Sequence, residues 1–168
     1  VSCYQNGAEG DGERMPYVDV GGEKIYYEDV GKGLPFLLLP GALGTGRSDF
    51  GPQLEGLPGR GIRIIAPDPQ GYGKSRPPER AFSVDFYRRD ADDFAALMQT
   101  LGIRQYSVGG WSDGAITSLL LTLSQPQRVE KMAIWGGNAY VTEEDVDSYE
   151  KTRDVADWSP RAAEPMKT

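Results

Sequence analysis

The chain has 168 residues, enough for one domain with a sizeable core, and its 39% hydrophobic and 26% charged content is that of an ordinary globular protein. Lys and Arg number 18 against 25 Asp and Glu, and the resulting net charge of −7 argues against nucleic acid or an anionic membrane as the main partner. Histidine is absent and Cys3 is the one cysteine, so the sequence offers no usual general base, no zinc site of the nitrogen and sulfur kind and no internal disulfide.

Residues 1–14 hold Gly7, Gly10 and Gly12 among several acids, with little apolar content, and are expected to be disordered. No secretory or Arg-rich segment is visible in them, which with the single cysteine points to a cytoplasmic or mitochondrial compartment. Tyr17-Val18-Asp19-Val20 and Lys24-Ile25-Tyr26-Tyr27-Glu28 alternate as two strands joined by a turn at Gly21-Gly22. Pro35-Phe36-Leu37-Leu38-Leu39 is continuously apolar, as in a strand covered on both faces of a parallel sheet, and is far too short to span a bilayer.

A glycine-rich loop, Gly41 to Gly46, leads into a short helix expected around Phe50 to Leu57, closed by Pro58-Gly59. Arg63-Ile64-Ile65-Ala66 reads as a second buried strand and runs into Asp68-Pro69-Gln70-Gly71-Tyr72-Gly73-Lys74-Ser75, dense in turn formers. Ser83 is expected to cap a helix whose apolar stripe is Tyr87, Ala91, Phe94, Met98 and Leu101, ending at Gly102. Pro126 stops the helix that begins near Ala115, and Lys131-Met132-Ala133-Ile134-Trp135 is a further strand. Beyond Thr142 the character changes to a polar helix, Glu143 to Val155, with Thr142 and Asp145 spaced as a capping box, and Ser159-Pro160 reads as the start of another.

The most informative stretch is Gly110-Trp111-Ser112-Asp113-Gly114, which follows the apolar Tyr106-Ser107-Val108-Gly109 and precedes a helical run. Strand, Gly-x-Ser-x-Gly and helix is the context of a nucleophile elbow. The turn is so tight that side chains two residues either side of the serine would collide with it, hence glycine at Gly110 and Gly114. A helix N-terminus there favours negative charge developing at Ser112.

Strands alternating with helices at this spacing give an α/β fold, a mostly parallel sheet with helices on both faces. With the motifs in order, the chain resembles the α/β-hydrolase family, and more narrowly its biphenyl-hydrolase-like serine hydrolases, which cleave α-amino-acid esters. The stretches that carry the resemblance are Leu38 to Gly44, Asp68 to Pro78, Gly110 to Gly114 and Ile134 to Thr142, and it covers roughly Tyr17 to Thr168. It implies that Ser112 is the acylated nucleophile. The oxyanion hole is then the backbone N–H of Asp113 with one from Ala42-Leu43, and Asp113 and Trp111 bind substrate, the Asp113 carboxylate pairing with an α-ammonium group. For Asp113 the plainer reading is a carboxylate placed at a helix N-terminus, and for Trp111 a core role.

The same resemblance divides the chain into the 1–14 segment, a core of six strands over 15–139 and the start of a helical cap over 140–168. The family's catalytic acid and histidine then lie beyond Thr168, so these residues are expected to be nearly inactive alone, truncated before the last strands. The implied partner of the whole enzyme is a small-molecule ester, with no cofactor or metal, no nucleic acid, and a monomeric state at full length. Gln70 departs from the family, which has arginine there, and this weakens a structural ion pair. Missing strands would leave Met132 to Trp135 as an exposed apolar edge.

Competing readings are a non-catalytic truncated isoform or binding module, and a phosphate-binding loop. Gly41-Ala42-Leu43-Gly44-Thr45-Gly46-Arg47-Ser48 nearly fits the loop pattern, with Asp68 as a magnesium ligand, but Arg47 replaces the lysine and Gly51-Pro52 spoils the helix. Glu143-Glu144-Asp145 with Asp147 lacks the spacing of a calcium loop and reads as a solvated face. Trp111, Tyr140 and Trp158 are candidates to line an acyl pocket.

Overall fold

A computed structural model describes residues 16–159. The expectations for residues 1–14 and for a helix starting at Pro160 fall outside them. The strands are β1 (Tyr17–Val20), β2 (Glu23–Val30), β3 (Leu34–Leu39), β4 (Ile62–Pro67), β5 (Tyr106–Trp111) and β6 (Val129–Trp135), and they form one sheet in the order β1-β2-β4-β3-β5-β6. The hairpin β1-β2 and the β2-β4 pair are antiparallel, and β4, β3, β5 and β6 run parallel. The helices are α1 (Gly46–Gly56), α2 (Phe86–Thr100), α3 (Asp113–Ser124) and α4 (Glu143–Lys151).

Alternation along β3 explains the two-layer core. Leu37 and Leu39 point to the α2-α3 face, packing with Phe94, Met98, Val108 and Leu121, while Leu38 points to the α1 face with Phe50, Leu54 and Ile64. Each such fully buried side chain contributes about 1.5–3 kcal/mol of hydrophobic stabilisation. On α2 the stripe Ala91, Phe94 and Met98 is buried as its spacing requires. No helix among the described residues is long and apolar enough to cross a membrane.

Three helix limits differ from the sequence reading. The first helix begins at Gly46, because Thr45 and Ser48 cap each other reciprocally, and the non-helical Phe50 marks a kink just before Pro52. Ser83 does not cap α2. Its carbonyl accepts the Phe86 N–H in a turn, and the helix starts at Phe86 with Asp85 in the cap position and no side-chain cap bond. Helix α4 ends at Lys151 rather than Val155, because the Thr152 hydroxyl donates to the Tyr149 carbonyl and Asp154 accepts the Ala156 N–H, starting the short 3-10 turn Val155–Asp157.

Candidate active site

Because β3 and β5 are parallel neighbours, with Leu39 opposite Gly110, both end at one edge of the sheet and bring the loop after Leu39 beside the turn after Trp111. Between the end of β5 and the start of α3 stands a single residue, Ser112, at φ 54° and ψ −122°. A positive φ at a non-glycine residue costs on the order of 1–3 kcal/mol and persists only where its surroundings hold it. Here the Ser112 N–H donates to the Trp135 carbonyl of β6 at 3.0 Å, and its own carbonyl accepts the Ala115 N–H at 3.0 Å. The flanking glycines are needed for room. A Cβ on Gly114 would collide with the Leu39 carbonyl, and one on Gly110 with the Gly114 carbonyl. Ser112 itself is partly exposed at the N-terminus of α3.

The neighbouring turn runs Gly41-Ala42-Leu43-Gly44, closed by Gly44 N–H donating to the Gly41 carbonyl at 3.1 Å. Leu43 sits at φ 62°, the left-handed value that a type II turn places at its third residue. Ala42 and Leu43 are both exposed. Gly41 is wedged against the elbow, since a Cβ there would lie 2.9 Å from the Trp111 ring and 3.2 Å from the Ser112 Cβ. The Tyr72 hydroxyl lies against the Leu43 N–H, and its pKa is raised chiefly by burial.

Asp113 follows the serine and is half-buried, its Oδ1 accepting the Tyr87 hydroxyl at 2.8 Å. Burial pushes the Asp113 carboxyl above the usual range, against the pull of the Tyr87 hydrogen bond and the Arg80 charge. Tyr87 is raised in turn, first by burial and then by donating to Asp113. The core role considered for Trp111 does not hold. The side chain is 39% exposed, lies over Gly41, and donates Nε1–H to Asp49 Oδ2 at 2.7 Å. Tyr140 stands 75% exposed, and Trp158 donates to the Thr152 carbonyl beyond α4.

Three residues of this corner were not singled out from the sequence: Asp49, Tyr72 and Tyr87. Asp49 was hidden by starting α1 four residues late, because a first-turn position with Thr45 as cap is the signal that aims its carboxylate back at the loop. Tyr87 was absorbed into the apolar stripe of α2, and nothing in the sequence shows that its hydroxyl meets a residue 26 positions on.

The loop after Asp68 is structural. Asp68 is buried and accepts the Gly46 and Lys74 N–H groups at 3.0 and 2.9 Å. At Gln70 the carbonyl, not the side chain, is engaged. It accepts from Arg80, which pairs with Asp90 of α2 and so supplies the cation that fastens this loop. A phosphate cradle does not form at Gly41 to Ser48: the Asp49 carboxylate occupies the loop, and Arg47 is paired with Glu28 at 2.7 Å. On α4 the Asp145 carboxylate is taken up by Thr142 as the capping box requires, and the acidic face is exposed.

A family profile described as alpha/beta hydrolase fold matches residues 35–161. The chain is 49% identical over 151 residues to the mouse (Mus musculus) protein named Serine hydrolase BPHL, covering 89% of this chain and 52% of that protein. It is 48% identical over 151 residues to the human (Homo sapiens) protein of the same name, with the same coverage. Among solved structures, a thermophilic esterase from Thermogutta terrifontis with malate bound superposes with a TM-score of 0.66 at 26% identity, over 84% of this chain and 50% of the esterase. The chain thus spans about half the length of the curated relatives it matches.

Proposed function

This chain belongs to the α/β-hydrolase fold family, and from that premise we propose that it carries the nucleophile of a serine hydrolase acting on small carboxylic esters, α-amino-acid esters among them. The observation that carries the reading is the placement of Ser112, alone at a strained strand-to-helix corner, partly exposed, beside a turn whose Ala42 and Leu43 are exposed. The Ser112 Oγ attacks the ester carbonyl carbon as its proton passes to a base, and the carbonyl oxygen becomes an oxyanion. The Asp113 N–H and one from Ala42-Leu43 meet that charge. The C–O bond to the alcohol then breaks, the alcohol leaves with a proton, and water hydrolyses the acyl-serine by the same route. Donors placed for the oxyanion act mainly in the transition state, and losing one typically costs about 100- to 1000-fold in rate.

Asp113 supports the amino-acid preference, because it directly follows the nucleophile in the chain and carries a partly exposed carboxylate that can pair with a substrate α-ammonium. The 168 residues contain no histidine, so on this reading the base comes from polypeptide outside them, as does the triad acid. Without a base the serine hydroxyl stays protonated and reacts slowly.

The test uses a fluorophosphonate probe and ester turnover. In the full-length protein, Ser112→Ala is expected to abolish labelling and lower kcat by about 10⁴- to 10⁶-fold. Turnover that survives this substitution overturns the nucleophile. Rapid labelling of Ser112 in the isolated 168 residues overturns the placement of the base elsewhere.

A further inference from the structure

We propose that Asp49 is a positioning residue for the oxyanion turn, its carboxylate fixing the conformation of the Gly41-Ala42-Leu43-Gly44 turn beside Ser112; the inference rests on Ser112 taking up the acyl group. From the first turn of α1, Asp49 Oδ2 accepts two donors, the Gly41 N–H at 2.9 Å and the Trp111 Nε1–H at 2.7 Å. Its Oδ1 accepts the Ser48 hydroxyl at 2.8 Å. One side chain therefore ties the start of the turn to the residue before Ser112 and to α1.

The turn needs such a clamp. Type I and type II turns differ by a flip of their central peptide, here the one whose Leu43 N–H lies against the Tyr72 hydroxyl in the free chain and would have to be shared with an oxyanion. A leucine at the third position favours type I, with φ near −90°, because the left-handed value suits glycine. Leu43 nonetheless sits at φ 62°. If the peptide flipped, the Leu43 N–H would turn to the opposite side of the loop and its carbonyl-bearing neighbour would take its place. The carboxylate also fills the space over Gly44, where any Cβ would collide with it, so the turn closes on a glycine for room and not for a positive φ.

Charge is the wrong explanation for this residue. A carboxylate beside an oxyanion hole opposes the negative charge that forms there. If Asp49 acts by geometry, a neutral isostere keeps its function: asparagine can accept from Gly41 and Trp111 through its oxygen and donate from its nitrogen to Ser48 Oγ.

Steady-state kinetics on an ester substrate in the full-length protein decide it, with Ser112→Ala as reference and thermal melting as a check on folding. Asp49→Ala is expected to lower kcat by about 100-fold, the scale of losing one oxyanion donor, with KM within about threefold. Asp49→Asn is expected to restore kcat to within about fivefold of the parent. Gly44→Ala, which displaces the carboxylate without deleting it, is expected to act like Asp49→Ala and to add little on top of it. The proposal is overturned if Asp49→Ala keeps kcat within about threefold, if Asp49→Asn falls as far as the alanine variant, or if the Gly44 and Asp49 losses multiply. Should Asp49→Ala fail to fold, Trp111→Phe removes one donor from the same oxygen, and an unchanged kcat in that variant overturns it instead. A protein in which Ser112→Ala stays active refutes the nucleophile and not Asp49 alone.

Discussion

β5 and β6 lie side by side, parallel, paired from Tyr106 opposite Val129 to Trp111 opposite Trp135, and both are largely apolar. Yet Tyr106, Val108, Gly109 and Gly110 of β5 are buried, whereas every β6 residue after Val129 is exposed, Trp135 by 48%. Among the described residues β6 is one of the sheet's two edge strands, with β1 at the other side, and a groove of about 380 Å³ opens between Phe36, Ser107 and Lys131-Met132-Ala133. The exposed apolar edge expected at Met132 to Trp135 is therefore found. Pairing makes a strand, and cover on its faces makes a core, and the two come from different parts of a chain. The least covered strand nevertheless braces the most constrained residue, because the Trp135 carbonyl is the acceptor for the Ser112 N–H.

The largest effect that tests this contrast falls on the covered side. Gly114→Ala would drive a Cβ into the Leu39 and Pro40 carbonyls, rigid backbone at the end of β3 that cannot give way without moving the strand. A loss of about 3 kcal/mol or more is expected, read as a lower denaturant midpoint, with ester turnover lost alongside. Gly51→Ala is the control. Its Cβ meets nothing, so a change within about 1 kcal/mol is expected. Equal losses at the two glycines would break the claim that the corner is sterically fixed.

Much of this arrangement was legible in the sequence, and the reason is local. The elbow, the β1-β2 turn at Gly21-Gly22, the stop at Gly102 and the cap at Thr142 are each written within five or so residues, through glycines, a capping pair and apolar periodicity. Tyr72 and Tyr87 were not legible, since each meets a group far away in sequence that only the sheet order brings near, and for Asp49 the cap at Thr45 is a local signal but the bond from Trp111 is not. Trp111 shows the limit most clearly. Its place beside the elbow and its aromatic ring suited a substrate-pocket wall and a core position equally; the residue is exposed at the end of β5, and its indole N–H meets the Asp49 carboxylate, a contact neither reading contained.

A middle-sized effect tests the proposed role of Asp113, which requires a charged carboxyl to pair with a substrate ammonium. Burial raises its pKa, so as pH falls the charge is lost earlier than for an ordinary aspartate. KM for an α-amino-acid ester is therefore expected to climb as pH drops through that raised value, and to climb again above about pH 8 as the substrate amine loses its own proton. A neutral ester of the same size shows neither limb. Tyr87→Phe removes a hydrogen bond to the charged form and should move the acidic limb upward, raising KM for the amino-acid ester by about three- to tenfold on that limb while sparing the neutral ester. If both esters respond alike, Asp113 is a helix N-terminal residue and nothing more, and the corner's constraint serves the nucleophile only.

The smallest effect is expected at β6, and its smallness is informative. Ile134 pairs with Gly110 through backbone alone, and its side chain is 36% exposed. Ile134→Thr keeps a β-branched side chain, and so the strand preference, while removing apolar surface from the open edge. In the 168-residue chain the cost should be no more than about 1 kcal/mol, since little of what is removed lies in a packed interior. The Trp135 carbonyl stays in place, so the backbone at Ser112 is undisturbed, and self-association at raised concentration should fall in light scattering as the edge loses its apolar patch. The matching change one strand over, Val108→Thr, puts a hydroxyl where a fully buried methyl was and should cost about 1–3 kcal/mol. If Ile134→Thr costs as much as Val108→Thr, then β6 is covered in solution, and the contrast between the two strands disappears.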